Sequence, residues 1–428
     1  MKNKINIGIV GFGVVGSHSA KVLTENKEYF LNKTGLEIEI KKICDTDWNK
    51  KRIWMPSEKQ ITTDFNEIIN ASDIDIVVEL IGKENPAEQI IKNSLKNKKS
   101  VVTANKFLLS TKLFEILQLS NENKSYLGFE ASVAGAIPII KSIKEGFLSN
   151  NITRITAILN GTTNFILSSM TKNKIEFDQT LKNAQNLGYA ESNPSLDISG
   201  MDTAQKLAIL STFAFHKNII PDDFVTKGIE KIGQLDIEYA KQLGYKIKLL
   251  AFAVKENETI ELSVQPALIS ENHPLSSIED VYNGIYLEGD LFGKALFYGE
   301  GAGGYAAGSA IISDILDIGK KIAADIYLPE KFYMEENLKI KPSDEIISRY
   351  YLCFTAIDEP GVLAEISKIL GNNGISISSV IQKEENPKQA GPIVILTHQT
   401  PEKNLKKAVN EIDKLSVIKK PTQIIKIE

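Results

Sequence analysis

The sequence INIGIVGFGVVG, residues 5–16, decides the fold of the first part of the chain. Its apolar run, residues 5–10, predicts a strand, and the glycines that follow open a helix predicted over residues 14–26. The spacing G-x-G-x-x-G after a strand is typical of dinucleotide binding, because glycines permit the tight turn, the close approach of a pyrophosphate and the packing of helix on strand. The predicted cofactor contacts are Gly11, Phe12, Gly13, Val14, Val15 and Gly16.

Strand-like and helix-like stretches alternate from this motif to residue 130. Such βαβ alternation predicts an α/β fold with a Rossmann-type parallel sheet. The glycine-rich stretch at 299–304 opens another helix through residue 323, which we expect to return to the sheet. The predicted strands are 36–44, 74–80 and 101–103, and the predicted helices are 86–97 and 112–119.

The remainder of the chain predicts two further domains. The central part mixes helices with longer strands at 247–254 and 260–269, which indicates an α+β domain. The end of the chain follows a strand–helix–strand–strand–helix–strand order, βαββαβ. The expected boundaries are 1–130 with the returning helix at about 300–325, 131–299, a charged linker at 326–348, and 349–428.

Composition narrows the class of protein. Fifty basic and 54 acidic residues give a formal charge of −4, which argues against a nucleic-acid surface. Two distant cysteines, Cys44 and Cys353, offer neither a disulfide framework nor a zinc spacing. No apolar run approaches the roughly 20 residues that span a bilayer. We therefore expect a cytoplasmic protein without membrane or nucleic-acid partners.

The stretch LGYAESNPSLDISGMDTAQKLAIL, residues 187–210, concentrates charge beside an apolar helix. Asp202 and Lys206 are four positions apart and share one helix face. A lysine held near the core, with the carboxylates of Glu191 and Asp197 also close in sequence, could bind a zwitterion and transfer a proton. The alternative is a surface Asp–Lys pair that caps an ordinary helix, and spacing alone leaves both readings open.

Two shorter segments are candidates for ligand contact. The TANK segment, Thr103 to Lys106, follows a predicted strand end, where open α/β sheets bind ligands, which makes Lys106 a candidate catalytic ammonium. The alternative is a solvated lysine in a loop. The segment LNGTTN, residues 159–164, places glycine and two hydroxyls at a strand-to-helix turn, which suits either an anion or a simple helix N-cap. None of the four histidines pairs with another at metal-ligand spacing, so lysine is expected to act as the acid/base.

The sequence does not decide whether the cofactor carries a 2′-phosphate on its adenine ribose. Asp45 ends the second predicted strand, where a carboxylate usually bonds the adenine ribose of NAD and repels a 2′-phosphate. The basic run Lys50, Lys51 and Arg52 follows closely and could accept NADP instead. NAD and NADP both remain open.

Taken together, these motifs resemble homoserine dehydrogenase over nearly the whole chain, and the last unit resembles an ACT domain. The resemblance implies interconversion of L-homoserine and L-aspartate 4-semialdehyde, in threonine, methionine and isoleucine biosynthesis, with a central domain for catalysis and dimerisation. The matching motifs are GFGVVG at 11–16, VVTANK at 101–106, FEASVAGAIPII at 129–140, ILNGTTNFIL at 158–167, GYAESNPSLDISGMDTAQKLAIL at 188–210 and, for the ACT domain, TAIDEPGVLAEISKILGNNGISISSV at 355–380.

Residue roles follow from the matching positions. The resemblance implies proton transfer by Lys206, the family's main catalytic lysine, or by Lys106, which also lies at the nicotinamide end. The implied substrate contacts are Glu191, Asp202, Asp197, Gly161, Thr162 and Tyr189, and the further cofactor contacts are Asp45, Thr103, Lys106 and Gly303. A structural monovalent cation, Na or K, is implied at Glu130, Val133, Gly135 and Ile137.

The resemblance also implies regulation and assembly. Paired ACT domains often bind an amino acid near a turn that here spans Asp358 to Gly361, and L-threonine is the expected effector. The alternative is a module that only supports dimerisation. The family forms homodimers or homotetramers. Two rival readings are 3-phosphoglycerate dehydrogenase, which normally has mid-chain cofactor glycines and a Glu–His pair, and a non-catalytic sensor of a nucleotide and an amino acid.

Overall fold

A six-stranded parallel sheet forms the N-terminal part of the computed structural model, which describes residues 3–330, 333–382 and 390–428. The strand order is β3-β2-β1-β4-β5-β6, so the winding reverses between β1 and β4. Ligands bind at such a switch point in open α/β sheets. The elements are β1 (Lys4–Val10), α1 (Val14–Glu25), α2 (Lys27–Thr34), β2 (Glu37–Cys44), β3 (Ile61–Thr62), α3 (Asn66–Ile69), β4 (Ile76–Glu79), α4 (Glu84–Lys96), β5 (Ser100–Thr103), α5 (Lys106–Glu122) and β6 (Leu127–Gly128).

The Rossmann-type sheet predicted from the sequence is confirmed. Strands β4 and β5 are buried along their whole lengths, as expected where helices cover both faces of a parallel sheet. One prediction was wrong in its bounds: the helix expected at 112–119 begins at Lys106. The Asn105 side chain caps it by accepting a hydrogen bond from the Leu108 N–H, 3.1 Å away. Lys106 therefore lies in the first helical turn and not in a loop.

The central part is built around an antiparallel sheet in the order β12-β11-β7-β9-β10. Its long hairpin pairs Tyr245 with Ser270 at one end and Glu256 with Thr259 at the turn. The elements are α6 (Ile139–Lys141), β7 (Ile152–Ile158), α7 (Gly161–Asn173), α8 (Phe177–Asn186), α9 (Ser195–Ile198), α10 (Met201–Phe215), β8 (Val225–Thr226), α11 (Gln234–Gln242), β9 (Tyr245–Glu256), β10 (Thr259–Ser270), β11 (Tyr282–Gly289), β12 (Gly293–Glu300) and α12 (Gly304–Ala323).

Helix α12 returns to the N-terminal sheet, as the sequence predicts. Its buried Ile311, Ile315 and Ile318 join the core formed by β1, β2 and β4. Gly308 lies opposite Ser19 of α1, and a side chain there would come within 3.3 Å of the Ser19 hydroxyl oxygen. The small residue thus lets α1 and α12 pack closely. In the described parts of the chain, no helix is both long and apolar enough to cross a bilayer.

The C-terminal part has the predicted βαββαβ order, and its sheet is continuous with the central one. Strand β18 pairs with β14 and also runs parallel to β10, through Ala267 with Lys426 and Leu268 with Ile427. The segment expected as a linker contributes β13, which also pairs with β10. The elements are β13 (Lys339–Ile340), β14 (Ile347–Ile357), α13 (Val362–Asn372), β15 (Ile377–Gln382), β16 (Ala390–Thr397), β17 (Thr400–Pro401), α14 (Glu402–Ile412) and β18 (Ile418–Ile427).

Candidate active site

The candidate active site lies where β5 of the N-terminal sheet meets the first turns of α7 and α10. Lys106, just after β5, forms an ion pair with Asp202 in the first turn of α10. Leu159, just after β7, accepts a hydrogen bond from the Lys206 ammonium at 2.7 Å. The site thus joins residues from the dinucleotide-binding part and the central part.

Asp202 is the centre of this site. Its side chain is 3% exposed. Its Oδ2 accepts hydrogen bonds from the Lys206 Nζ and the Asn160 Nδ2, both at 2.8 Å, while Lys106 Nζ contacts Oδ1. The Asn160 Nδ2 also donates to Asp197 Oδ1 at 2.7 Å. One carboxylate therefore binds two ammonium groups, and one amide links two carboxylates.

The two lysines differ in exposure. The Lys106 side chain is 40% exposed, whereas that of Lys206 is 10% exposed. The sequence prediction that Asp202 and Lys206 share one helix face is confirmed by their ion pair. Since Lys206 is buried, the alternative of an ordinary surface pair is excluded.

Burial and charge act differently on the ionisable groups. Burial raises the pKa of Asp202, but Lys206 and Lys106 outweigh that effect and hold the pKa below its usual value. Burial lowers the pKa of Lys206, and the attraction of Asp202 offsets this only in part. Burial also lowers the pKa of Lys106, but Asp202, with Asp197 and Glu191 at longer range, raises it above its usual value. Asp197 has a raised pKa because of burial and the nearby Asp202 charge.

Local sequence explains how these side chains are placed. Gly200 precedes α10 at φ +84°, a conformation that favours glycine, and puts Asp202 in the first helical turn. A carboxylate there is stabilised by the helix dipole. Asn160 caps α7 by accepting a hydrogen bond from Thr163 N at 2.8 Å. A Cβ on Gly161 would lie 2.6 Å from the Val281 carbonyl oxygen, so only glycine fits at this position.

The glycine turn fits a dinucleotide. Gly11 has φ +97°, and a side chain there would lie 2.6 Å from the backbone of Leu80. A side chain on Gly16 would lie 2.4 Å from the Gly11 carbonyl oxygen, whereas space around Gly13 is open. The open position lies at the N-terminus of α1, where unpaired N–H groups and the dipole favour a phosphate. Phe12 is buried, and Val14 and Val15 form the first turn of α1.

The Asp45 carboxylate contacts other groups of the protein that the sequence did not indicate. Its Oδ2 accepts a hydrogen bond from Phe12 N at 2.7 Å and lies 3.4 Å from Arg52 Nη2. The Arg52 side chain is 3% exposed, and its guanidinium donates to the Phe12 carbonyl oxygen and lies over the Trp48 ring. Arg52 therefore partly neutralises Asp45, while the Lys50 side chain is 73% exposed.

Other predicted substrate contacts lie on α7 and on the segment that follows α8. Thr162 Oγ1 donates to the Tyr189 carbonyl oxygen at 2.7 Å, which ties α7 to the segment after α8. Tyr189 is exposed and packs against Phe165 at 4.9 Å between ring centroids. Glu191 is exposed and close enough to Lys106 to raise its pKa. On the cofactor side, Thr103 is fully buried at the end of β5, and Gly303 precedes α12 at φ +114°.

The predicted cation ligands lie together, in a tight turn after β6. Both carboxylate oxygens of Glu130 accept backbone hydrogen bonds, from Ile140 N and Lys141 N at 2.8 Å. Gly135 has φ +51° and packs against Gly301. Val133 and Ile137 are buried in the same turn. The described residues include no cluster of three His, Cys, Asp or Glu side chains suited to a metal.

The predicted effector turn is exposed. Asp358 Oδ1 accepts a hydrogen bond from Gln382 Nε2 at 3.1 Å, and Gly361 directly precedes α13 at φ +98°. A side chain on Gly361 would meet open space. The turn is thus accessible from solvent in this single chain.

Sequence reasoning missed two participants. The motif LNGTTN was singled out, but Asn160 was not named as a link between Asp197 and Asp202, and the Leu159 carbonyl was not named as the second acceptor of Lys206. The cap position of Asn160 was a usable signal, because an asparagine cap uses its side-chain oxygen for the helix and leaves its amide N–H groups to bind other acceptors. No local sequence pattern indicates that a particular backbone carbonyl will accept a hydrogen bond from a side chain.

Comparison with known proteins agrees with this geometry. Residues 11–130 match the family model "Homoserine dehydrogenase, NAD binding domain", residues 138–316 match "Homoserine dehydrogenase", and residues 350–417 match "ACT domain". The curated homoserine dehydrogenase of Helicobacter pylori is 42% identical over 428 residues, all of both chains. That of Bacillus subtilis is 35% identical, with 99% of this chain and 98% of the relative covered.

Solved structures give the same result. A homoserine dehydrogenase from Thiobacillus denitrificans superposes with a TM-score of 0.93 at 37% identity, covering 99% of this chain and 98% of the other. A hyperthermophilic archaeal homoserine dehydrogenase in complex with NADPH has a TM-score of 0.64 at 26% identity and covers 76% of this chain and all of its own. The matches support a nicotinamide cofactor and favour neither rival reading. The chain belongs to the homoserine dehydrogenase family and carries a C-terminal ACT domain.

Proposed function

We propose that this enzyme interconverts L-homoserine and L-aspartate 4-semialdehyde at the site centred on Asp202. The observation that carries the proposal is the buried Asp202 carboxylate, bound by Lys206 and Lys106, at the junction of the dinucleotide-binding part and the central part. A site of this kind offers an ammonium for proton transfer beside a cofactor cleft. When bound, the nicotinamide supplies or accepts the hydride.

The two lysines have separate roles in this proposal. Lys206 transfers the proton, because burial lowers its pKa toward the range in which an amine both gives and accepts protons. Lys106 stays charged, because Asp202 raises its pKa, and it stabilises the negative charge that develops on the substrate oxygen. Its 40% exposed side chain supports direct contact with a ligand.

The substrate is a small zwitterion, and the site offers charges for both of its ends. Asp197 and Glu191, with Asp202 behind them, attract the substrate ammonium. The N-terminus of α7 at Gly161 and Thr162 offers backbone N–H groups to the substrate carboxylate. The exposed Tyr189 ring, next to Phe165 of α7, is expected to contact the substrate between these groups.

The enzyme accepts both NAD and NADP in this proposal. Asp45 is engaged by Phe12 N and lies beside Arg52, so its repulsion of a 2′-phosphate is reduced. The exposed Lys50 supplies a cation after β2 for that phosphate. Comparing kcat/KM for the two cofactors tests this; a preference above about 100-fold, about 2.7 kcal/mol, for either would contradict dual use.

The function itself is tested with purified protein and homoserine. Absorbance of the reduced nicotinamide is followed with NAD and, separately, with NADP. Turnover that depends on homoserine and is lost in the Lys206→Met variant is the expected result. Absence of turnover with both cofactors, in protein shown by circular dichroism to be folded, would overturn the proposal.

A monovalent cation and a homo-oligomer belong to the same proposal. A hard cation in the turn of Glu130, Val133, Gly135 and Ile137 would be held by backbone carbonyl oxygens, because the Glu130 carboxylate is engaged by two N–H groups. Thermal melting in buffers with only a bulky organic cation tests it. We expect Na or K to raise the melting temperature, and no change would contradict the site. Sedimentation is expected to show a dimer or a tetramer.

L-Threonine is the proposed effector of the ACT domain. The exposed turn from Asp358 to Gly361 supports an accessible ligand site. Titration of homoserine oxidation with L-threonine, with L-valine as a control of similar shape, tests it. Inhibition by threonine alone is expected. No inhibition and no binding by calorimetry would support a module that serves assembly only.

A further inference from the structure

Glu79 is a buried carboxylate that neither catalysis nor ligand binding has so far accounted for. It ends β4 directly beside Thr103, its partner on β5, and is fully buried. Its Oε1 accepts a hydrogen bond from Ile81 N, and its Oε2 accepts one from the Thr103 hydroxyl, both at 2.6 Å. A buried carboxylate is costly unless it is hydrogen-bonded, and here both oxygens are satisfied.

The hydrogen bonds continue from Glu79 to the start of α5. Thr103 Oγ1 accepts a hydrogen bond from Asn105 N at 3.0 Å. Asn105 in turn caps α5 through Leu108 N, and its Nδ2 donates to the Lys83 carbonyl oxygen at 3.0 Å. This chain of bonds determines where α5 begins. Lys106 is the first residue of that helix, so its position depends on the same bonds.

The other oxygen of Glu79 determines the opposite wall of the cleft. Ile81 N, bound to Oε1, lies just after Leu80, whose backbone approaches Gly11 so closely that a side chain on Gly11 would lie 2.6 Å away. Leu80 N also donates to the Val10 carbonyl oxygen at 2.8 Å. One carboxylate therefore connects the glycine turn with the turn that carries Lys106.

We propose that Glu79 is a positioning residue, which holds Lys106 against Asp202 through Thr103 and Asn105. The inference rests on the proposed function, since it assigns Glu79 an effect on the step that Lys106 assists. A carboxylate is required because both of its oxygens accept hydrogen bonds. A glutamine amide could still accept from Ile81 N through its oxygen, but its N–H group would then donate to the Thr103 hydroxyl, which reverses that bond and leaves the buried hydroxyl proton without its acceptor.

The test compares Glu79→Gln with wild type in three measurements. We expect kcat to fall by about tenfold to 100-fold while KM for homoserine changes by less than about threefold, because displacing a catalytic group by about 1 Å has effects of this size. The dissociation constant of NADPH, measured by its fluorescence, is expected to rise only a few-fold. In a crystal structure of the variant, Lys106 Nζ is expected to lie beyond 4 Å from Asp202 Oδ1.

A double-mutant cycle separates positioning from a general structural role. In the Lys106→Met background, Glu79→Gln should change kcat by less than about twofold, because coupled residues are not additive. Full additivity, or Lys106 in its wild-type place in the crystal, would overturn the proposal. Glu122→Gln, at the exposed far end of α5, is the matched control and should behave as wild type.

A second pair of variants addresses the case in which Glu79→Gln does not fold. Thr103→Val replaces the hydroxyl by a methyl group of similar size, and Thr103→Ser retains the hydroxyl. We expect the valine variant to lower kcat and the serine variant to restore most of it; equal effects would contradict the proposal. If wild type itself does not turn over homoserine, the proposed function fails, whereas the crystal structures still decide the placement of Lys106.

Discussion

Replacing Lys206 by methionine is the most direct test of how this site works. The substitution keeps the length of the side chain and removes its ammonium. Asp202 retains Lys106 and Asn160 as partners, so its carboxylate is not left unpaired. The Leu159 carbonyl loses its donor, which costs about 1–3 kcal/mol. The variant is therefore expected to fold, with a modestly lower melting temperature.

The catalytic loss is expected to be much larger than the loss of stability. A positioned general acid or base contributes about 10²- to 10⁴-fold, so kcat should fall by at least about 100-fold. The pH dependence is the sharper measurement. Homoserine oxidation requires the neutral amine of Lys206, so kcat rises as pH passes upward through its pKa, which burial lowers. Reduction of the semialdehyde requires the ammonium, so its rate falls over the same range.

Two controls make the result specific. Lys106→Met should lower kcat and raise KM but keep the pH inflection of each reaction direction, because Lys106 has a raised pKa and is not the titrating group. Both inflections should move to higher pH, because the Lys106 charge lowers the pKa of Lys206 in the wild type. Lys407→Met, an exposed lysine on α14, should behave as wild type. If Lys206→Met retained turnover within about threefold of wild type, or kept both inflections, proton transfer by Lys206 would be refuted.

Three further predictions concern the same cleft. Asp202→Asn leaves two ammonium groups around a neutral amide, so we expect the free energy of unfolding, measured in urea, to fall by about 3–5 kcal/mol; a change below about 1 kcal/mol would show that the buried charge matters little. Gly16→Ala places a Cβ 2.4 Å from the Gly11 carbonyl oxygen, so we expect the variant to lose NADPH binding, measured by the change in NADPH fluorescence. An unaltered affinity for NADPH would contradict this prediction. Lys50→Glu should raise KM for NADPH about fivefold, because reversing this surface charge weakens the binding of the 2′-phosphate by about 1 kcal/mol, and should leave KM for NADH within about twofold. Equal changes in the two KM values would place the 2′-phosphate elsewhere.

Much of the fold was predictable because its signals are local. The strand, glycine turn and helix at the start of the chain follow one another without interruption, and the βαββαβ order at its end follows from alternation and periodicity. The error in the start of α5 has a local cause too. Asn105 caps α5 ahead of the residues whose apolar spacing indicates a helix, so that spacing predicts a helix start that is too late in the sequence.

The site was predicted only where its residues lie close together in the sequence. Asp202 and Lys206 lie on one helix, and their spacing alone makes them neighbours. The sequence did not indicate that Asn160 links two carboxylates, that Arg52 approaches Asp45, or that β18 extends the central sheet. Each of these contacts joins segments that are distant along the chain.

By itself, the sequence determined the dinucleotide turn, the class of each domain and the Asp202–Lys206 pair, because periodicity and short spacings act within a few residues. Only the tertiary structure decided that Lys106 meets Asp202, that Lys206 is buried and Lys106 is partly exposed, and that Glu79 lies beneath both turns of the cleft. Such contacts depend on how the domains pack and on how much solvent each charge retains. Those two quantities set the pKa of each lysine, and no local pattern of residues encodes them.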